Sequence, residues 1–261
     1  MNMVPGAIPE ELAGPLTRTR ERLGFFASAI LWYPEVGSTN DVAGVLADRG
    51  ADEGLVVVAD RQTTGRGRLG RSWVSPPCAG IYTSVVLRPS SQAASLLTIA
   101  AGVAVADGIA AATGLDAAVK WPNDVHAGGR KLAGILAEGA ARHVVLGIGI
   151  NVRQAAYPAD VAARATSIEA ELGRRVDRGL VLAECLAALA VRYRQLQNGH
   201  GRLVVDAWRR RAAQMMGRRV EWESAGQLQR GTAESVDDDG SLVVKIDSGA
   251  CRIRSGEVRW L

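Results

Sequence analysis

Lysine is scarce in this chain. Lys120, Lys131 and Lys245 are its only lysines, arginine supplies the rest of the basic charge, and two of the three lysines fall within twelve residues of each other. Where a chain defaults to arginine, a lysine marks a place for a compact, strongly hydrated ammonium. Lys120-Trp121-Pro122-Asn123-Asp124 sets a cation, an amide and a carboxylate around a proline that biases Trp121 toward extended backbone. Lys131 follows in Arg130-Lys131-Leu132-Ala133-Gly134-Ile135-Leu136. Period-two alternation there puts Lys131 and Ala133 on one face of a strand and Leu132 and Gly134 on the other. A lysine in such apolar company needs an anionic partner, unless it is an edge residue guarding the strand against aggregation.

A second chemical segment is Gly65-Arg66-Gly67-Arg68-Leu69-Gly70, which has the glycine spacing of a dinucleotide-binding turn and follows a strand. That fold also requires a helix on the loop and an acid about 20 positions later to hold a ribose. Here Ser72-Trp73-Val74-Ser75-Pro76-Pro77 follows, which cannot continue a helix, and the next acidic residue is Asp107. The dinucleotide reading fails. What remains is a glycine loop bearing Arg61, Arg66, Arg68 and Arg71, suited to bidentate binding of phosphate or carboxylate oxygens. A solvated basic loop or a nucleic-acid contact is the alternative. Four like charges repel unless an anion joins them, which predicts a loop that is mobile when empty and ordered when occupied. Gly147-Ile148-Gly149-Ile150-Asn151-Val152 ends another strand with small residues where a ligand can approach the backbone.

The elements that must hold these side chains can be read from patterning. A helix is expected over 41–48 after the polar triplet Ser38-Thr39-Asn40, with strands over 55–59, 81–87, 117–121, 131–137 and 144–150. Gly128-Gly129 signals a hairpin between the strands at 117–121 and 131–137. The alanine- and valine-rich stretch 93–112, interrupted by Gly102, Asp107 and Gly108, reads as a buried core helix rather than a membrane span. Amphipathic helices are expected over 180–197 and 203–216. Beyond Arg218 the pattern changes to short alternating runs around an Asp238-Asp239-Gly240 turn, the spacing of a small barrel. The expected organisation is a lead-in over 1–30, a main domain over 31–216 and a small domain over 217–261. The fold class is α+β: a mixed β-sheet flanked by helices, with a small C-terminal β-barrel.

Composition narrows the options further. With 261 residues and 48% hydrophobic content the fold should bury roughly 70% of its unfolded surface, and it needs no disulfide or metal staple. Cys78, Cys185 and Cys251 are odd in number and widely spaced, so they form neither a disulfide framework nor a zinc site, and a reducing, cytoplasmic setting is expected. The acidic start at Glu10-Glu11 is unlike a signal peptide. A net charge of +4 does not argue for nucleic acid. His126, His143 and His200 are scattered and form no evident catalytic set.

Taken together, these segments resemble the biotin protein ligases. The resemblance rests on Ser38-Thr39-Asn40, Gly65 through Trp73, Lys120 through Asp124, Arg130 through Glu138 and Gly147 through Val152, in that order, across residues 35–155. The end of the chain, with Gly240, Ser255, Gly256 and Glu257, resembles the family's small SH3-like domain. The resemblance implies that Ser38, Thr39, Asn40, Gln62 and Arg66 contact the ureido ring of biotin. Trp73 and Gly134 would wall the ring and its aliphatic tail, and Arg66, Gly67, Arg68 and Arg71 would fold over the reaction intermediate. It places Lys131 beside both the biotin carboxylate and the α-phosphate of ATP, and Lys120, Asn123 and Asn151 on the nucleotide side. Asp124 is the candidate to orient or deprotonate an incoming lysine. ATP, magnesium and biotin are the implied ligands, with no direct protein ligands assigned to the metal. A biotin carboxyl carrier domain is the implied partner, and the implied state is monomer or homodimer. A lipoate- or octanoate-transferring enzyme of related fold is the nearest alternative, disfavoured because a plain acyl chain offers no ureido group. A biotin-sensing, DNA-binding repressor is disfavoured because too few residues precede Ser38 for a winged helix.

Overall fold

The structure, a computed structural model, describes residues 4–155, 157–224 and 226–261. Its main sheet contains β1 (Ile30–Val36), β2 (Val56–Gln62), β3 (Gly80–Leu87), β4 (Ala118–Lys120), β5 (Asp124–Ala127), β6 (Arg130–Gly139) and β7 (Val144–Asn151). They lie in the order β1-β2-β3-β7-β6-β5-β4. Only β1 and β2 run parallel, so the sheet is mixed. The helices are α1 (Glu10–Arg18), α2 (Arg20–Leu23), α3 (Thr39–Asp48), α4 (Ser91–Ser95), α5 (Leu97–Thr113), α6 (Ala159–Ala162), α7 (Ile168–Leu172), α8 (Arg178–Gln197) and α9 (Gly201–Arg211).

The valine run of β2 explains the layering. Val56 and Val58 enter one core with α5 and α8, whereas Val57 and Ala59 enter a second with Ala43 and Ala47 of α3. Both faces of the strand are therefore covered, as a continuous apolar run requires. α5 is apolar on nearly every side and mostly buried, as expected of the 93–112 stretch, although Leu96 separates it from the short α4, Asp107 is partly buried and Ala111 is exposed. Among the described residues no helix is long and apolar enough to cross a membrane.

The structure corrects several local expectations. Gly128-Gly129 does form a turn, with φ of 54° and 76°, but it joins β5 to β6, and β5 itself was not anticipated. The helix expected over 203–216 ends at Arg211 and gives way to a 3-10 turn over Ala213–Met215. Residues 1–3 lie outside the described residues; the rest of the lead-in segment is integral to the core. Leu12, Leu16, Leu23 and Phe26 are buried with the residues of α8.

The C-terminal strands β8 (Arg219–Ser224), β9 (Gln227–Val236), β10 (Leu242–Ile246), β11 (Gly249–Ile253) and β12 (Val258–Trp260) form an antiparallel sheet in the order β11-β10-β9-β8-β12. Val220, Trp222, Val236 and Leu242 from this sheet belong to the same apolar cluster as α5 and α8. Polar ties reinforce that packing: the Trp121 indole donates to the Gly240 carbonyl at 2.9 Å, and Arg209 Nη2 donates to the Val236 carbonyl at 2.7 Å. The small sheet is thus held firmly beside the β4–β5 corner, where the lysine segments lie.

α5 and α8 meet most closely at Gly108. A Cβ there would stand 2.5 Å from the Cα and N of Cys185, a contact that backbone atoms cannot relieve without the helices separating. Gly108→Ala is accordingly expected to destabilise the fold by about 2 kcal/mol through overpacking. A urea-unfolding midpoint equal to that of the parent protein would contradict this.

Candidate active site

A cavity of about 560 Å³ opens on the face of the main sheet where the β2–β3 connection, the β4–β5 corner, β6, β7 and the end of the C-terminal sheet converge. It is lined by Ser38, Thr39, Asn40, Gln62, Arg66, Gly67, Arg68, Arg71, Trp73, Lys120, Asn123, Asp124, Lys131, Gly134 and Asn151, all the residues that the family resemblance implies as contacts, whereas Arg61, named with the loop arginines as an anion ligand, lies outside it. The sequence separations among them exceed a hundred residues, so the sheet order performs the assembly.

One end of the cavity is a polar cluster at the start of α3. Ser38 is extended and makes no side-chain cap. Gln62 takes over that duty: its Oε1 accepts from the Thr39 amide at 2.8 Å and from Thr39 Oγ1 at 3.1 Å, while its Nε2 donates to Ser75 Oγ at 2.8 Å. Ser84 Oγ lies 2.7 Å from Thr39 Oγ1 and 2.6 Å from Asn40 Oδ1. The Asn40 amide donates to Glu138 Oε2 at 2.5 Å. Ser84 and Glu138 were not anticipated as site residues. A fully buried serine inside an apolar strand was the available signal, because such a hydroxyl must find a partner.

The floor is built from small residues on adjacent strands, Gly134 facing Gly149 across the β6–β7 ladder. A Cβ on Gly149 would sit 2.5 Å from Trp73 Nε1, and one on Gly134 would sit 3.0 Å from the same indole and 3.3 Å from Lys131 Nζ. One step along β7, a Cβ on Gly147 would sit 2.2 Å from Asn40 Oδ1. Any side chain at these positions would fill the space that Trp73, Lys131 and Asn40 occupy.

Lys131 does not obey the alternation expected of it. The β5–β6 register shifts between Val125 and His126, so that Val125 faces Ala133 but His126 faces Lys131. This bulge adds one residue to β6 and turns the Lys131 side chain onto the face of Gly134 rather than that of Ala133. The ammonium comes to 2.7 Å from Asp124 Oδ1 and 5.4 Å from the centroid of Trp73. Burial pushes the Asp124 carboxyl up, but His126 and the Lys131 ammonium outweigh it, and the net value lies below the usual carboxylate range. His126 Nε2 is 3.9 Å away, too far for a hydrogen bond, so the ammonium is the closer partner. His126 is nonetheless in the cavity wall, partly buried, while His143 and His200 are not.

The glycine–arginine segment folds over the cavity as a narrow flap, with the Gly67 amide donating to the Arg71 carbonyl at 2.7 Å and the Trp73 amide to the Gly65 carbonyl at 2.8 Å. Its tip residue, Leu69, has φ of 56° and is exposed. Each arginine has a protein acceptor. Arg61 pairs with Glu35 at 2.8 Å, and Arg66 bridges Asp41 at 2.5 Å and Glu138 at 2.9 Å. Arg68 donates to the Gly256 carbonyl at 3.1 Å and to Asn123 Oδ1 at 3.4 Å, and Arg71 pairs with Glu257. The repulsion expected among these cations is thus met by carboxylates of the protein itself.

Two further predicted residues carry structural bonds. Asn123 Nδ2 donates to the Ile135 carbonyl at 2.6 Å and fastens the β4–β5 corner to β6. Asn151 donates to the Thr166 carbonyl at 3.0 Å and accepts from the Tyr157 hydroxyl at 3.2 Å, so both ends of its amide are taken by the 157–166 segment. Lys120 is half-buried; burial, with Lys131 and Arg218 nearby, lowers its pKa despite the pull of Asp124. Trp208 and Trp222 are core residues, buried to 2% and 6% exposure.

A mixed sheet roofed by an arginine-bearing flap, with a carboxylate-paired lysine and a preformed polar cluster, has the fold of a protein ligase. A family model described as the biotin/lipoate A/B protein ligase family matches residues 35–154. The chain is 40% identical over 233 residues to a biotin--[acetyl-CoA-carboxylase] ligase of Mycobacterium tuberculosis, covering 86% of each chain. It is 34% identical over 258 residues to the bifunctional ligase/repressor BirA of Bacillus subtilis, covering 94% of this chain and 79% of that one. A biotin protein ligase from Aquifex aeolicus, solved in complex with biotin and ATP, superposes with a TM-score of 0.79 at 28% identity, over 90% of this chain and 100% of that one. The chain belongs to the biotin protein ligases of this family.

The Lys131–Asp124 pair predicts a pH signature. Because the folded-state carboxyl lies below its ordinary value, its stabilisation is complete above the unfolded value of about 3.9 and fades as pH falls through the folded value. Asp124→Asn is expected to cost about 2 kcal/mol near neutrality, between the ranges for exposed and fully buried pairs. The deficit should shrink toward about pH 3. Urea denaturation of both proteins at the two pH values checks this; an unchanged gap would contradict it.

Proposed function

We propose that this protein activates biotin with ATP as biotinyl-5′-AMP and then transfers the biotinyl group to a lysine of a biotin carboxyl carrier domain. The observation that carries the reading is the Lys131 ammonium, held at 2.7 Å by Asp124 against the Trp73 ring, under a flap bearing Arg66, Arg68 and Arg71. The names of the relatives support biotin as the acid and a carboxylase component as the acceptor. Ser38, Thr39, Asn40 and Gln62 supply donors and acceptors of the kind that a ureido ring, with two N–H groups and one carbonyl, can satisfy. An unfunctionalised acyl chain offers no donors or acceptors to match these groups, which weighs against lipoate or octanoate.

In the first step a carboxylate oxygen of biotin attacks the α-phosphorus. The bond from that phosphorus to the oxygen bridging the β-phosphate breaks, and pyrophosphate leaves. Two anions must meet, so cations are needed at the point of contact. One cation at 4 Å contributes on the order of 4 kcal/mol at an effective dielectric near 20, before desolvation. Lys131 reaches that point by exchanging Asp124 for the acyl phosphate, while Arg66 and Arg68 exchange their protein acceptors for phosphate oxygens. Lys120, Asn123 and Asn151 line the nucleotide side. Magnesium takes oxygen ligands and retains water, so it would arrive on the phosphates of ATP. Among the described residues no group of three His, Cys, Asp or Glu is arranged to hold a metal, and no step here is routed through one.

In the second step the amine of a carrier lysine attacks the carbonyl carbon of the mixed anhydride, AMP leaves and the amine loses a proton. At a pKa near 10.4 only about one lysine in a thousand is neutral near pH 7.4. Asp124, charged at neutrality and released by Lys131, stands where it orients that amine and takes its proton.

Lys131→Ala is expected to lower biotinyl-AMP formation by roughly 10²–10³-fold, the loss typical of one preorganised charge-stabilising group. Purified variant that forms the adenylate at the parent rate would refute the role. Arg68→Gly should loosen the flap from Gly256 and Asn123 and speed release of the adenylate; equal retention of radiolabelled biotinyl-AMP by both proteins would count against it.

A further inference from the structure

A second cavity, of about 660 Å³, lies beyond the β4–β5 corner and shares Lys120, His126 and Trp260 with the first. Its walls carry five cations, Lys120, Arg192, Arg210, Arg211 and Arg218, against the side-chain carboxylates of Asp107 and Asp116 and the terminal carboxylate of Leu261. Both side-chain carboxylates are already engaged. Asp107 takes Arg192 at 2.7 Å and Arg211 at 2.8 Å, and Asp116 takes Arg211 at 2.8 Å.

The arginine run ending α9 shows what is left over. Arg209 is tied to Asp206, Asp238 and the Val236 carbonyl, and Arg211 to Asp107 and Asp116. Arg210, between them, lines the cavity and forms no ion pair among the described residues, and neither does Arg218. Lys120 sits at the junction of the two cavities. The carboxylate that acts on it, Asp124, is committed at 2.7 Å to Lys131. Three cations without carboxylate partners around one concavity create a field that concentrates a compact, multiply charged anion.

We propose that this second cavity is an anion basin that receives inorganic pyrophosphate as it leaves the first, with Lys120 passing it to Arg210 and Arg218. The inference rests on the adenylation reading above. Pyrophosphate is favoured over an acidic face of a protein partner because the cations sit in a hollow, Lys120 is half-buried, and the basin adjoins the cavity where that anion would be formed, sharing Lys120, His126 and Trp260 with it. By microscopic reversibility the same basin returns added pyrophosphate to the acyl phosphate, so its loss relieves product inhibition.

The test uses the full-length protein and an Arg210→Gln/Arg218→Gln variant, both positions being exposed and outside the first cavity. Each is titrated calorimetrically with inorganic pyrophosphate alone, and each is assayed for pyrophosphate inhibition of adenylate formation and for the KM of ATP. The expected result is pyrophosphate affinity weaker by roughly tenfold or more, the scale for losing a charged hydrogen-bonding partner, with product inhibition relieved to match and the KM of ATP unchanged. Equal pyrophosphate affinity in the two proteins, or no binding by either, would overturn the basin. So would a KM for ATP that rises in step, which would make these residues part of the nucleotide site, or a rise confined to the KM of the carrier domain, which would make them a protein-docking face. Failure of the unsubstituted protein to form any adenylate would instead remove the parent reading, while the pyrophosphate titration alone still decides whether the basin binds its anion.

Discussion

The site depends on one charged contact, the 2.7 Å pair between Lys131 and Asp124. An ammonium pressed against an indole and half withdrawn from water is costly unless a carboxylate accompanies it. The carboxylate reaches it only because β5 and β6 are paired with a bulge that rotates Lys131 toward Asp124 and Gly134. The same irregularity opens the glycine floor beneath Trp73. A regular ladder would have placed the lysine on the opposite face of the sheet, away from its partner.

The flap solves a related problem in another way. Guanidiniums gathered for an oxyanion repel one another while none is bound, and the protein answers with Asp41, Glu138, Glu257 and the Gly256 carbonyl. These contacts are exposed, so each is worth little by itself and can be exchanged for phosphate oxygens at small cost. Two of the acceptors, Gly256 and Glu257, lie in the connection between β11 and β12, and this gives the C-terminal strands a part in the site as well as in the core. Glu138 has a double duty, since it also fixes the Asn40 amide at the ring-binding end.

The polar end behaves differently, because its bonds are largely internal. Gln62, Thr39, Asn40, Ser84 and Ser75 hold each other at fixed positions before any ligand arrives. A preformed hydrogen-bonding surface loses little freedom on binding, which favours selective recognition of a rigid bicyclic ring over a flexible chain. Behind it the main and C-terminal sheets share one continuous core, so the walls of the cavity are not free to drift apart.

Residue type and spacing pointed to the biotin protein ligases through the family that these segments resemble. The scarcity of lysine, the glycine–arginine segment, the polar triplet and the short glycine-bearing strands all depend on local composition, and the α+β class with its buried alanine-rich helix follows from hydrophobic period. The rest was decided by pairing between strands distant in sequence. Strand β5, the bulge that redirects Lys131, and the contacts made by Glu138, His126 and Glu257 carry no local signature, because a carboxylate or imidazole looks the same in sequence whether it meets solvent or a charged partner. Alternation assigns a face to Lys131 only if the ladder is regular, and regularity belongs to the two strands together. Likewise the two carboxylates that leave Arg210 and Arg218 uncompensated are assigned only when α5, α8 and α9 pack. Sequence by itself determined which groups are available; tertiary packing determined which charges are neutralised and which are left to a ligand.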